Sequence, residues 1–130
     1  MTKYYRAAFS SEIRSVVLAR QGIAGFAADC GFPHEAVDDI KLAAGEALSN
    51  AVEHAQTSAP NKILVHCAFA AGELTIEIAD RGCGFPEPSN HATVEPDHRG
   101  RGFGIFLMRR LMDEVSFAGN GTIVRLVRRI

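Results

Sequence analysis

Gly45-Glu46-Ala47-Leu48-Ser49-Asn50 is the stretch that decides the fold of this 130-residue chain. Glu46 and Asn50 stand one helical turn apart and so share a face. Through the same segment Ala36, Ile40, Ala44, Ala47 and Ala51 recur at helical spacing, so both polar side chains flank a stripe that must be buried. A carboxylate or carboxamide in that setting needs partners. A solvated helix edge would supply water; a polar ligand or a metal accounts for the pair better once the glycine-rich segments downstream are read.

The length suits one domain over residues 1–130 with a single sizeable core. Lys and Arg number 14 against 15 Asp and Glu, a balance without the positive excess of a nucleic-acid or acidic-membrane binder. Cys30, Cys67 and Cys83 are odd in number and far apart, which argues against a disulfide framework and a zinc site and fits a reducing compartment. No stretch approaches the roughly 20 apolar residues of a membrane span, and Met1 to Arg6 turns polar too early for a signal peptide. A soluble, cytoplasmic protein is expected.

Outward from the deciding helix, expected over about Pro33 to Ala55, the chain alternates clear elements with breakers. Tyr4 to Phe9 reads as a short strand, and Ser10 and Ser11 are candidate caps for a helix from Glu12. Ile13, Val16, Val17, Ile23, Ala24 and Ala27 mark that helix, and Gly31 with Pro33 stops it. Arg20 falls within the series; it either lays its stem on the apolar face with its head in water or serves a partner surface. His54 follows Asn50 by one turn and is either structural or a ligand contact. Gln56 to Asn61 reads as a loop. Lys62 to Ala70 and Glu73 to Asp80 read as a hairpin about Ala71-Gly72. In its second strand Leu74, Ile76 and Ile78 alternate with Thr75, Glu77 and Ala79, which turns Asp80 inward.

Asp80-Arg81-Gly82-Cys83-Gly84-Phe85 follows, with two glycines that let the backbone turn tightly beside something bulky. Pro86 to His98 reads as an irregular loop able to act as a lid. It leads into Arg99-Gly100-Arg101-Gly102-Phe103-Gly104, which opens an amphipathic helix marked by Ile105, Leu107, Met108, Leu111, Met112 and Val115. Glycines at a helix start expose free N–H groups at the positive end of the macrodipole, a setting for phosphate to which Arg99 or Arg101 can add charge. Val115 to Phe117 and Thr122 to Val127 read as a closing hairpin about Gly119-Asn120-Gly121. No Gly-Lys-Ser or Gly-Lys-Thr occurs, so this is no P-loop. Ile105 stands where a dinucleotide fingerprint needs its third glycine.

Glu46-x-x-x-Asn50, Asp80-x-Gly82-x-Gly84 and Gly100-x-Gly102-x-Gly104, in that order, resemble the N, G1 and G2 boxes of the Bergerat-fold (GHKL) ATPases. Gly45 to Ala55 and Ile105 to Val115 further resemble the anti-sigma-factor serine kinases of bacterial partner-switching systems. The resemblance covers nearly the whole chain. It implies an ATP site in which Asn50 coordinates magnesium, Glu46 is the general base, Asp80 accepts from the adenine amino group, and Gly82 and Gly84 shape the adenine pocket. Gly102 and Gly104 would offer N–H groups to the phosphates. The remaining third-box residues, Arg99, Gly100, Arg101 and Phe103, complete the candidate cofactor-binding set. Phosphoryl transfer agrees with this set, since it asks chiefly for positioning and charge neutralisation, and a hard cation takes oxygen ligands.

The function implied is a serine/threonine kinase that phosphorylates a STAS-type anti-sigma-factor antagonist and holds a sigma factor or another regulator, with Arg20 at the partner surface and a homodimer possible by family resemblance. The alternatives are a nucleotide-responsive binding protein without transfer activity and the catalytic domain of a two-component histidine kinase. The expected architecture is a two-layer α/β sandwich, a mixed and mostly antiparallel sheet with helices on one face.

Overall fold

The computed structural model describes residues 1–54, 62–80, 103–119 and 123–130. In chain order these form β1 (Lys3–Ser10), α1 (Ile13–Asp29), α2 (His34–His54), β2 (Lys62–Ala70), β3 (Glu73–Asp80), α3 (Phe103–Leu111), β4 (Glu114–Ala118) and β5 (Ile123–Arg129). The strands make one sheet in the order β1-β2-β3-β5-β4. Every described pairing is antiparallel, so the expected mixture resolves to its antiparallel part.

The β2–β3 hairpin turns on Ala71 and Gly72, at φ 51° and 76°, the two left-handed residues a tight turn needs to match strand twist. This fixes the register: Ala70 faces Glu73, and Ile63 faces Asp80. Strand alternation then puts Val65, Cys67, Leu74, Ile76, Ile78, Val124 and Leu126 on the inner side, all buried against the helices. Large side chains buried there stabilise the sheet-to-helix packing by about 1.5–3 kcal/mol each.

α2 is the central helix. Ala36, Ile40, Ala44, Ala47 and Ala51 are all buried, as their spacing predicts, and Ala43, Leu48 and Val52 widen the stripe. α1 buries the expected Ile23 and Ala27 and packs Val16 against the core, but its buried face is rotated from the expected one at the N-terminal end. Ser15, Ala19, Ile23 and Ala27 turn inward, whereas Ile13 and Val17 are exposed. Mostly small residues on that face allow close approach to neighbouring elements, and Gly22 does the same for β1: a Cβ on it would lie 2.9 Å from Cζ of Tyr5, whose ring also stacks on Phe26. The serines do not cap α1; its N-cap is Glu12, without a side-chain cap bond, because Ser10 is taken into β1. Gly31, at φ 100°, ends α1 as expected, with its N–H and that of Phe32 bonded back to Ala28 and Ala27.

α3 is shorter than the apolar spacing suggests. The Asp113 N–H bonds to the Val127 carbonyl and the Asp113 carboxylate accepts from the Arg129 N–H at 2.6 Å, so the chain leaves the helix and Val115 enters β4. No described helix is long and apolar enough to cross a membrane.

Candidate nucleotide site on the central helix

Glu46 and Asn50 are half-buried on α2, and the first turn of α3 lies directly against them. A Cβ on Gly104 would stand 3.0 Å from Oε2 of Glu46, 3.5 Å from Nδ2 of Asn50 and 3.8 Å from Cβ of Glu46. The first of these is tighter than most real Cβ contacts, so the Glu46 carboxylate would have to give way by a few tenths of an ångström. Glycine is therefore what lets α3 meet α2 where the carboxylate and the carboxamide emerge. The opening turn of a helix carries N–H groups with no intrahelical acceptor and a partial positive charge, so oxygen ligands and the Glu46 carboxylate are both favoured there.

A second glycine works the same way on the other side of Glu46. A Cβ on Gly45 would lie 3.1 Å from Cδ and 3.5 Å from Nη1 of Arg20, so the arginine stem from α1 crosses α2 over the bare backbone beside Glu46. Arg20 Nε is buried and finds no hydrogen-bond acceptor among the described residues. The sequence left two fates open for Arg20: its stem does lie along a packed surface, over α2, and its unpartnered Nε is what a partner surface would have to satisfy. Gly45 is the residue sequence reasoning missed, and a glycine inside a strongly helical segment was the available signal.

Asp80 ends β3 on its inner side and is 4% exposed. Its register partner Ile63 lines an apolar recess with Leu48 and Val52 of α2, which puts Asp80 near the end of α2 that carries Asn50. The structure thus brings Glu46, Asn50 and Gly104 into contact, seats Arg20 beside them, and turns Asp80 into the same layer. Gly82, Gly84, Arg99, Gly100, Arg101, Gly102 and the lid lie outside the described residues, as do the side chains of Phe103 and His54.

A magnesium–nucleotide complex fits the donors present. Magnesium takes oxygen ligands, keeps several waters and is commonly held by one or two protein groups with substrate phosphates supplying others. The Asn50 carboxamide can provide one such oxygen, the Glu46 carboxylate is a second candidate, and the cradle at Gly104 leaves backbone rather than side chain facing them. The two described thiols are unsuited to nucleophilic work: burial pushes Cys67 up to about 12, with the nearby Cys30 adding to it, and burial raises Cys30 as well.

Comparison with known proteins identifies the family of the chain. The family described as histidine kinase-like ATPase domain matches residues 9–128. The serine-protein kinase RsbW of Listeria monocytogenes serotype 4a (strain HCC23) is 31% identical over 109 residues, 77% of this chain and 69% of that protein. The anti-sigma F factor of Caldanaerobacter subterraneus subsp. tengcongensis is 31% identical over 131 residues, 94% of this chain and 90% of that one. A structure of the RsbU and RsbW domains of a Mycobacterium tuberculosis protein shares the fold, with a TM-score of 0.74 over 98% of this chain at 22% identity; this chain spans 32% of the length of that one. The chain belongs to the family of histidine kinase-like ATPase domains, on the branch that holds the serine-protein kinases and anti-sigma factors.

Proposed function

We propose that this chain is an ATP-dependent serine/threonine protein kinase that phosphorylates an anti-sigma-factor antagonist of the STAS type and that also binds a sigma factor or a comparable regulator. The observation that supports the reading is the close approach of Gly104 to both Glu46 and Asn50, which brings a candidate base, a candidate metal ligand and a helix start together at one point. The names of the relatives, a serine-protein kinase and an anti-sigma factor, support both halves of it.

In this reading Asn50, together with phosphate oxygens, would hold magnesium, which would supply charge neutralisation on the triphosphate. Glu46 takes the proton from the incoming hydroxyl as its oxygen bonds to the terminal phosphorus and the bond to the departing ADP oxygen breaks. Asp80 accepts a hydrogen bond from the adenine amino group, with Gly82 and Gly84 shaping that pocket. Gly100, Gly102, Phe103 and Gly104 line the phosphates with backbone, and Arg99 and Arg101 supply charge. Arg20 faces the partner, whose carboxylate or carbonyl oxygens satisfy its buried Nε. A homodimer and a cytoplasmic setting complete the reading.

The test is incubation of the protein with ATP, magnesium and its cognate STAS-type antagonist. Stable phosphate on serine or threonine of the antagonist is the expected result, lost with Glu46→Gln. An unmodified antagonist, with partner binding and regulation intact in Glu46→Gln, would instead establish a nucleotide-responsive binding protein.

A further inference from the structure

α3 meets α2 at two places, and the second lies two turns from the first. Gly104 touches Glu46 and Asn50 at the opening end of α3. At its closing end, Nη1 of Arg128 on β5 donates both to the Leu111 carbonyl of α3 and to Oδ2 of Asp39 on α2, the latter at 3.2 Å. Asp39 to Glu46 on α2 and Gly104 to Leu111 on α3 are equal intervals of seven residues, each about 10.5 Å along a helix. Asp39, Ala43, Glu46 and Asn50 follow one another at helical spacing along one face, and Ala43 between them is fully buried. The Arg128 side chain is 23% exposed, and the carbonyl it bonds is among those a helix end leaves without an internal partner.

We infer that Arg128 is a positioning residue that sets the register of α3 along α2, and through it the fit of the α3 opening turn to the nucleotide phosphates. The inference rests on the reading of Glu46, Asn50 and Gly104 as an ATP site. β5 also holds the chain beyond α3, through the bonds between Asp113 and residues Val127 and Arg129, but those fix the exit strand. Among the described residues, Arg128 ties β5 to both helices at once. A slip or tilt of α3 at that end moves Gly104 relative to Glu46, and displacements near an ångström in such sites change function by orders of magnitude.

The effect has a direction. Arg128 bonds α3 and pairs with Leu74, six residues along β3 from Asp80, so its loss should fall on the phosphates and spare adenine. The experiment measures affinity for ATP with magnesium and for adenosine, well below the melting temperature, in the wild type, Arg128→Met and Arg128→Lys. Arg128→Met should weaken ATP about tenfold while adenosine changes less than twofold, and Arg128→Lys, which keeps one donor, should fall between. An ATP-to-adenosine ratio equal to that of the wild type overturns the inference and leaves Arg128 a stability residue only. Should Arg128→Met not fold, Asp39→Asn, which leaves the Leu111 bond in place, carries the same ratio test. A wild type that binds no ATP overturns the site reading itself, and this inference with it.

Discussion

Gly104 of α3 stands so close to Glu46 of α2 that a single methyl group on it would lie 3.0 Å from the Glu46 carboxylate. Because Oε2 would be the atom displaced, Gly104→Ala should misplace the proposed base and crowd Asn50 without opening a cavity. Phosphoryl transfer is expected to fall by about a hundredfold, the scale of a misplaced reacting group. Turnover assays with the antagonist, alongside circular dichroism showing retained fold, check it.

Gly45 and Arg20 make a second pair of this kind. Gly45→Ala should push the arginine stem, 3.1 Å from the new methyl, off its seat over α2. Since the affected group is then Arg20, Gly45→Ala and Arg20→Ala should each weaken binding of the regulator, and the double variant should bind no worse than Arg20→Ala alone. Calorimetry of the four proteins in a double-mutant cycle reads this directly; fully additive losses would separate the two residues.

Gly22 tests the packing of the edge strand. Alanine would relieve a glycine inside α1, a gain of about 1 kcal/mol, but overpacking against the Tyr5 ring costs about 1–3 kcal/mol. The Tyr5 side faces a closely packed Phe26 ring, so the loss should dominate and Tm should fall by several degrees. Removing the hydroxyl, which points at the site of the new methyl, should help: Gly22→Ala with Tyr5→Phe should recover part of that stability in thermal melts.

Cys67 predicts an alkaline limb. Its pKa is raised from 9.0 to about 12 by burial first, so the folded state keeps a proton that the unfolded chain loses. The corresponding stability is fully present below about pH 9 and is lost as pH rises toward 12, a few kcal/mol at most. Cys67→Ala is less stable at neutral pH because it opens a small void, yet its stability should decline less steeply between pH 9 and 11. Urea melts across that range check the slope.

Much of the fold was legible because its signals were local. The α2 stripe is all buried, the Ala71-Gly72 turn sits between the expected strands, and the two-residue period of β3 turned Asp80 inward as read. What periodicity could not show was competition between elements. Ile13 and Val17 look like core at helical spacing, but a helix with both apolar flanks and a line of small residues packs by the small ones, which come closest. Val115 continues the apolar spacing of α3, yet bonds from Asp113 to β5 end the helix first. Within the site, Glu46 and Asn50 could be paired from their spacing alone. That Gly104 completes them, and that Asp39 and Arg128 hold the far end, depends on helices meeting across 50 or more residues of chain, which no single window contains.

The account stands on Glu46, Asn50 and the α3 opening turn forming one metal–nucleotide site. Isothermal titration of the wild type and of Asn50→Ala with ATP, with and without magnesium, tests this most directly. The wild type should bind ATP only weakly without magnesium and at least tenfold more tightly with it, whereas folded Asn50→Ala should show no magnesium enhancement. Equal magnesium-dependent affinity in the two proteins would contradict the assignment.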